Sequence, residues 1–187
     1  MRRANDFEPR ASNLLRTQGM GADSRDMRTD GWVVWGSILL VFLLSLLPWR
    51  ASGWAPDLLM LVIAFWVVHE GGKVGLLTGF VFGLLIDVHD VGPLGQHALT
   101  YVLVCYGAVV LRRRLLRFSL GRQAIHMLPV FVVASAVSVI LTAALMGVWP
   151  GWLWLVGVLL AAVLWVPVGW ILLLPGNRLG AMSSQTD

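Results

Sequence analysis

Charge is what this sequence has least of. Only 24 of its 187 residues are Asp, Glu, Lys or Arg, and the 55 consecutive positions from Gln123 to Asn177 hold none. A soluble domain carries roughly a quarter of its residues as charges, so a water-facing globule is excluded. Cysteine is nearly absent. Cys105 stands alone, which rules out an internal disulfide framework and leaves too few thiolates for a zinc or iron-sulfur motif. Also missing are a G-x-S-x-G elbow, a phosphate-binding Walker loop and a nucleophile with a base beside it, so no enzyme is expected, and no cofactor. What the sequence does contain is apolar: 58% hydrophobic residues and a mean hydropathy of +0.78 point to a small multi-span membrane protein.

Residues 1–30 hold six Arg and five acidic residues among small and polar ones. Such a segment buries too little apolar surface to offset chain ordering and reads as a disordered cytoplasmic tail. The uncharged stretch from Gly31 to Trp49 approaches the ~20 residues that a hydrocarbon core requires. A cleavable leader would start earlier and end in a small-x-small site, which only Ala51-Ser52-Gly53 approaches, so this is a retained first helix. Pro48 and Pro56 bracket a short loop. Leu58–Val68 and Val74–Ile86 then form two short helices joined by the polar turn HEGGK. HDVGPLGQH reads as a loop, Ala98–Leu111 as a fourth helix, and RRRLLRFSLGR as a basic connection. The turn signal from Gly147 to Trp152 divides the remaining apolar run into Met127–Met146 and Leu153–Leu174. The expected fold is all-α: a six-helix transmembrane bundle over residues 31–175, followed by a short cytoplasmic tail, 176–187.

Basic residues orient the bundle. With the N-terminus inside, thirteen of the fourteen fall in the tails, at Lys73 and in the 112–122 segment, and Arg50 alone lies outside. Trp32, Trp35, Trp49, Trp54, Trp149, Trp152, Trp154 and Trp170 cluster near span ends, where an amphipathic ring is favoured, while Trp66 and Trp165 lie deeper. Both patterns predict N-in and C-in. The second helix is the weakest span, since about 13 residues reach only ~20 Å of a ~30 Å core. A re-entrant tip would carry Glu70 and Lys73 into hydrocarbon, which favours a full crossing.

Gly75, Gly79 and Gly83 recur every four residues on the third helix, and Asp87 extends the row. Such a ridge lets another backbone approach closely, either as an internal seam or as a docking face for a partner helix. Ala134, Ser138 and Thr142, and Gly157 and Ala161, form similar rows. Asp57 and Asp87 are ionisable groups at spans, where such groups are costly and rarely face lipid. Counted from the inner turn they come out level, so they form a buried pair bridged by Arg50, His89 or His97, or else serve separate helix ends, Asp57 as an N-cap and Asp87 toward a watery loop. Residues 87–97 include carboxylates and imidazoles, but a Gly-Pro turn explains the composition and no metal is expected. Arg112, Arg113, Arg114, Arg117 and Arg122 lie where they meet anionic lipid headgroups or a cytoplasmic partner. No aromatic platform accompanies them, so nucleic acid is not a partner.

Pro56-Asp57, the G-x3-G-x3-G-L-x2-D run that includes Gly83, Leu84 and Asp87, and Pro93-Leu94-Gly95-x2-Ala98-Leu99 together resemble the rod shape-determining protein MreD family. The likeness runs from about Trp32 to Pro175; the 30-residue basic tail and His89-Asp90 depart from it. It implies a non-catalytic, multi-pass scaffold in the bacterial inner membrane. Its partners would be MreC, MreB filaments directly or through MreC, and the SEDS glycosyltransferase and class B transpeptidase that build lateral peptidoglycan. The family is also similar in span pattern to the S-components of energy-coupling-factor transporters. That similarity implies the competing function, a substrate-binding subunit using Asp57, Asp87 and the 88–97 loop as a solute pocket.

Overall fold

The computed structural model describes residues 31–47, 55–90, 94–147, 149 and 151–183, with side chains described as far as residue 173. The tail expected at 1–30 and residues 184–187 of the one expected at 176–187, together with Pro48, Trp49, Arg50, Trp54 and Pro93, lie outside the described residues. The described residues form six helices and no strand: α1 (Gly31–Ser45), α2 (Leu58–His69), α3 (Leu76–Asp90), α4 (Gln96–Leu115), α5 (Leu120–Met146) and α6 (Leu153–Ser183).

Two of them are long and apolar enough to cross a membrane, α5 and the Leu153–Leu173 part of α6. Several boundaries differ from the sequence reading, among them the end of α6, which runs on to Ser183 through the segment expected to be a tail. α3 runs on to Asp90, so His89 and Asp90 are helical rather than in a loop. α4 continues through Arg112, Arg113 and Arg114, and α5 starts at Leu120, seven residues before the expected Met127. Apolar periodicity stops at the first arginines, but a helix backbone does not, because Arg has good helix propensity. The basic connection is therefore two helix ends around a short turn.

The short second helix is the centre of the molecule. Every residue from Leu59 to Val68 is buried, as expected of a helix apolar all round. α1, α3, α4 and α6 contact it. Trp66 donates its indole N–H to the Ser37 hydroxyl at 2.9 Å, and Ser37 donates to the Val34 carbonyl at 2.9 Å, which ties α1 to the centre. Phe65 meets Trp165 of α6 edge-on with centroids 5.7 Å apart, and Trp165 packs on Phe131 of α5 at 5.9 Å. Gln123 fastens the α4–α5 turn by donating from Nε2 to the Leu115 and Phe118 carbonyls, both at 3.1 Å.

Candidate functional site

The polar side chains gather at the end where α2 and α4 begin. Asp57, after buried Pro56, caps α2: its Oδ1 accepts from the Met60 N–H at 3.1 Å. The Tyr101 hydroxyl lies 2.8 Å from both Asp57 oxygens and donates to that carboxylate from α4. Asp87 of α3 serves a different helix start. Its Oδ2 accepts from the Gly95 and Ala98 N–H groups at 2.9 and 3.1 Å, and its Oδ1 from the His97 N–H at 2.8 Å. Those amides open α4, whose N-cap Gly95 has no oxygen of its own to offer and sits at φ +97°, a conformation suited to glycine. Asp87 thus caps a helix that follows it in the chain, and it is 1% exposed.

His97 adds a further contact, with Nδ1 2.9 Å from Asp87 Oδ1 and Nε2 4.0 Å from Asp90. One turn along α4, Tyr101 meets the His97 ring edge-on at 6.3 Å. The two aspartates therefore connect through neighbouring α4 side chains, His97 for Asp87 and Tyr101 for Asp57. Asp87 is buried under α4, not turned toward a watery loop. Of the three bridging groups considered, His97 reaches Asp87, His89 is exposed, and Arg50 lies outside the described residues.

Close approach of α3 to α4 makes this cap geometry accessible. A Cβ on Gly83 would lie 2.5 Å from the Ala98 Cα, and one on Gly79 would lie 2.7 Å from Cys105 Sγ and 3.3 Å from the Tyr101 carbonyl oxygen. Gly75 faces open space, so the expected three-glycine ridge is a two-glycine seam within the chain. Ala98 is buried in it, whereas Leu84, Leu94 and Leu99 are exposed on the outside of the hairpin.

At the opposite end Arg112 is set apart from its neighbours. Its Nε donates to the Val68 carbonyl at 2.8 Å, with a longer 3.5 Å contact from Nη2 to the His69 carbonyl. A cation on the last carbonyls of α2 complements the helix dipole that Asp57 complements at the start. Arg113, Arg114, Arg117 and Arg122 are exposed and make no ion pair with any described residue. Tyr101 and Gln123 escaped the sequence reading. Their one signal was a hydrogen-bonding side chain within an uncharged apolar run, for which burial demands a partner.

Fold and site define a class: an all-helical protein with membrane-length apolar helices, whose buried polar groups hold helix ends. The chain belongs to the rod shape-determining protein MreD family, whose family model matches residues 27–174. That family is one of membrane proteins, and its role is in determining rod shape. No solved structure matches the chain.

Proposed function

We propose that the chain is a non-catalytic scaffold subunit of the bacterial cell-elongation machinery, crossing the inner membrane six times with both tails in the cytoplasm. In this reading it binds MreC, and directly or through MreC it couples MreB filaments to the SEDS glycosyltransferase and class B transpeptidase. The observation that carries the proposal is membership of the family over 27–174. The thirteen-to-one distribution of basic residues supports the orientation. The shortness of α2 is compatible with six crossings because neighbouring helices, rather than lipid, surround it, and Asp57 and Arg112 satisfy groups at its two ends. Engagement of Asp57 and Asp87 at helix starts favours a scaffold over a solute pocket built on those two carboxylates.

The test is mild solubilisation of the tagged full-length protein from its own membranes, alongside depletion in growing cells. Recovery of MreC and rounding of depleted cells are expected. A bound vitamin-like molecule with unchanged cell shape would replace the scaffold with the transporter subunit.

A further inference from the structure

A groove of about 330 Å³ opens between α4 and α5, lined by Leu103, Tyr106, Gly107, Pro129, Val130 and Val133 among others. It faces outward: Tyr106 is 60% and Val133 61% exposed. It forms where α5 packs closely on α4, with Val130 lying against Gly107. Gly107 offers no side chain, and Pro129 stands inside α5. Helical periodicity extends both walls toward the Arg112 end. On α4 the groove face continues from Leu103 and Tyr106 through Val110 to Arg114, and on α5 from Val133 and Pro129 back through His126 to Arg122. Arg114 is seven residues from Gly107 and Arg122 seven from Pro129, so at 1.5 Å per residue both cations lie ~10 Å below the groove, level with each other.

The cationic end has local structure. The Phe118 and His126 rings stack at 5.0 Å, the Arg122 guanidinium lies 6.0 Å from the Phe118 centroid, and His126 Nδ1 donates to the Arg122 carbonyl at 2.8 Å. Neither Arg114 nor Arg122 has a carboxylate partner among the described residues. Arg112, on the opposite side of α4, is held by the end of α2. An apolar slot ending in paired cations matches one ligand chemistry, an acyl chain that ends in a phosphate.

We infer that the α4–α5 groove, with Arg114, Arg122 and His126 at its inner end, is a binding site for one anionic phospholipid of the cytoplasmic leaflet. The chain lies along Tyr106, Gly107, Pro129 and Val133, and the phosphate is held by the two guanidinium groups. This rests on the membrane orientation proposed above. It distinguishes Arg114 and Arg122 from Arg113 and Arg117, which generalized surface attraction would not.

The test uses the full-length protein in nanodiscs of mixed phosphatidylglycerol and phosphatidylcholine, with bound lipid counted by native mass spectrometry after release into detergent. Wild type is expected to retain phosphatidylglycerol over phosphatidylcholine of the same chain length. Replacing Arg114 and Arg122 together by Gln should lower retention about tenfold or more, replacing Arg113 and Arg117 should leave it unchanged, and Val133→Trp should lower retention by filling the slot. Equal retention of both lipids by wild type overturns the site without any variant needing to fold. Equal loss in the two double variants also overturns it, in favour of diffuse attraction. A lipid-free dimer abolished by Val133→Trp overturns it in favour of a second copy in the groove. Cleavage of the tails by protease added outside intact spheroplasts defeats the orientation instead.

Discussion

Tyr101 and Arg112, eleven positions apart on α4, hold the two ends of α2. At 1.5 Å per residue their separation is ~16 Å, close to the ~18 Å length of the twelve-residue helix they clasp. Tyr101 does so through the Asp57 carboxylate and Arg112 through backbone carbonyls, so a parallel neighbour measures out the central helix. The exposed arginines beside Arg112 share its charge but not this contact.

Tyr101→Phe removes the hydroxyl that donates to Asp57 and keeps the ring. A hydrogen bond to a charged acceptor contributes about 1.5–3 kcal/mol, and a loss of that size is expected in equilibrium unfolding in detergent followed by tryptophan fluorescence. In a double-mutant cycle with Asp57→Asn the two changes should couple. Strict additivity would mean that the phenol and carboxylate act independently.

Arg112→Gln should cost about 1–2 kcal/mol, since it removes a cation from the last carbonyls of a buried helix. Arg113→Gln and Arg117→Gln, at exposed positions, should stay within about 0.5 kcal/mol of wild type. If all three variants unfold alike, the clasp at the end of α2 is not a stabilising contact.

For Asp87→Ala the expected loss is about 3 kcal/mol or more, because three backbone N–H groups at the start of α4 lose their acceptor in a buried place. Asp87→Asn keeps one acceptor oxygen and should fall between. Hydrogen exchange at Gly95, His97 and Ala98 reports the same event locally: protection there should fall before that of α5. Unchanged protection in Asp87→Ala would refute the cap.

Alanine substitutions in α3 and at Gly75, just before it, should rank Gly83 above Gly79 above Gly75. At Gly83 the new methyl meets Ala98 backbone, which cannot rotate away, and overpacking costs about 1–3 kcal/mol. At Gly79 it meets Cys105 Sγ first, a side chain with some freedom, so the cost is smaller. Gly75→Ala meets nothing and should remain within about 0.5 kcal/mol of wild type. The three unfolding curves measure the ranking, and a Gly75 variant as damaged as Gly83 would contradict the two-glycine seam.

Composition and apolar run lengths alone were enough for an all-helical chain and for six helices in the described region, but not for the packing of α2, which lies chiefly against α4 rather than against α3, its expected hairpin partner. A proline before Asp57 made its N-cap role legible, because the signal lies within one turn of sequence. Periodicity likewise placed Gly79, Gly83 and Asp87 on one face of α3. It named the face but not what the face meets. That Asp87 caps α4 depends on backbone amides eight to eleven residues away, and that Arg112 alone of its cluster closes α2 depends on a carbonyl 44 positions earlier. Only tertiary structure decided these contacts, and with them the central place of α2, whose shortness along the sequence read as weakness. A helix apolar on every side carries no preferred direction of burial, so its surroundings are set by the helices that close around it and by the few polar groups that must find partners among them.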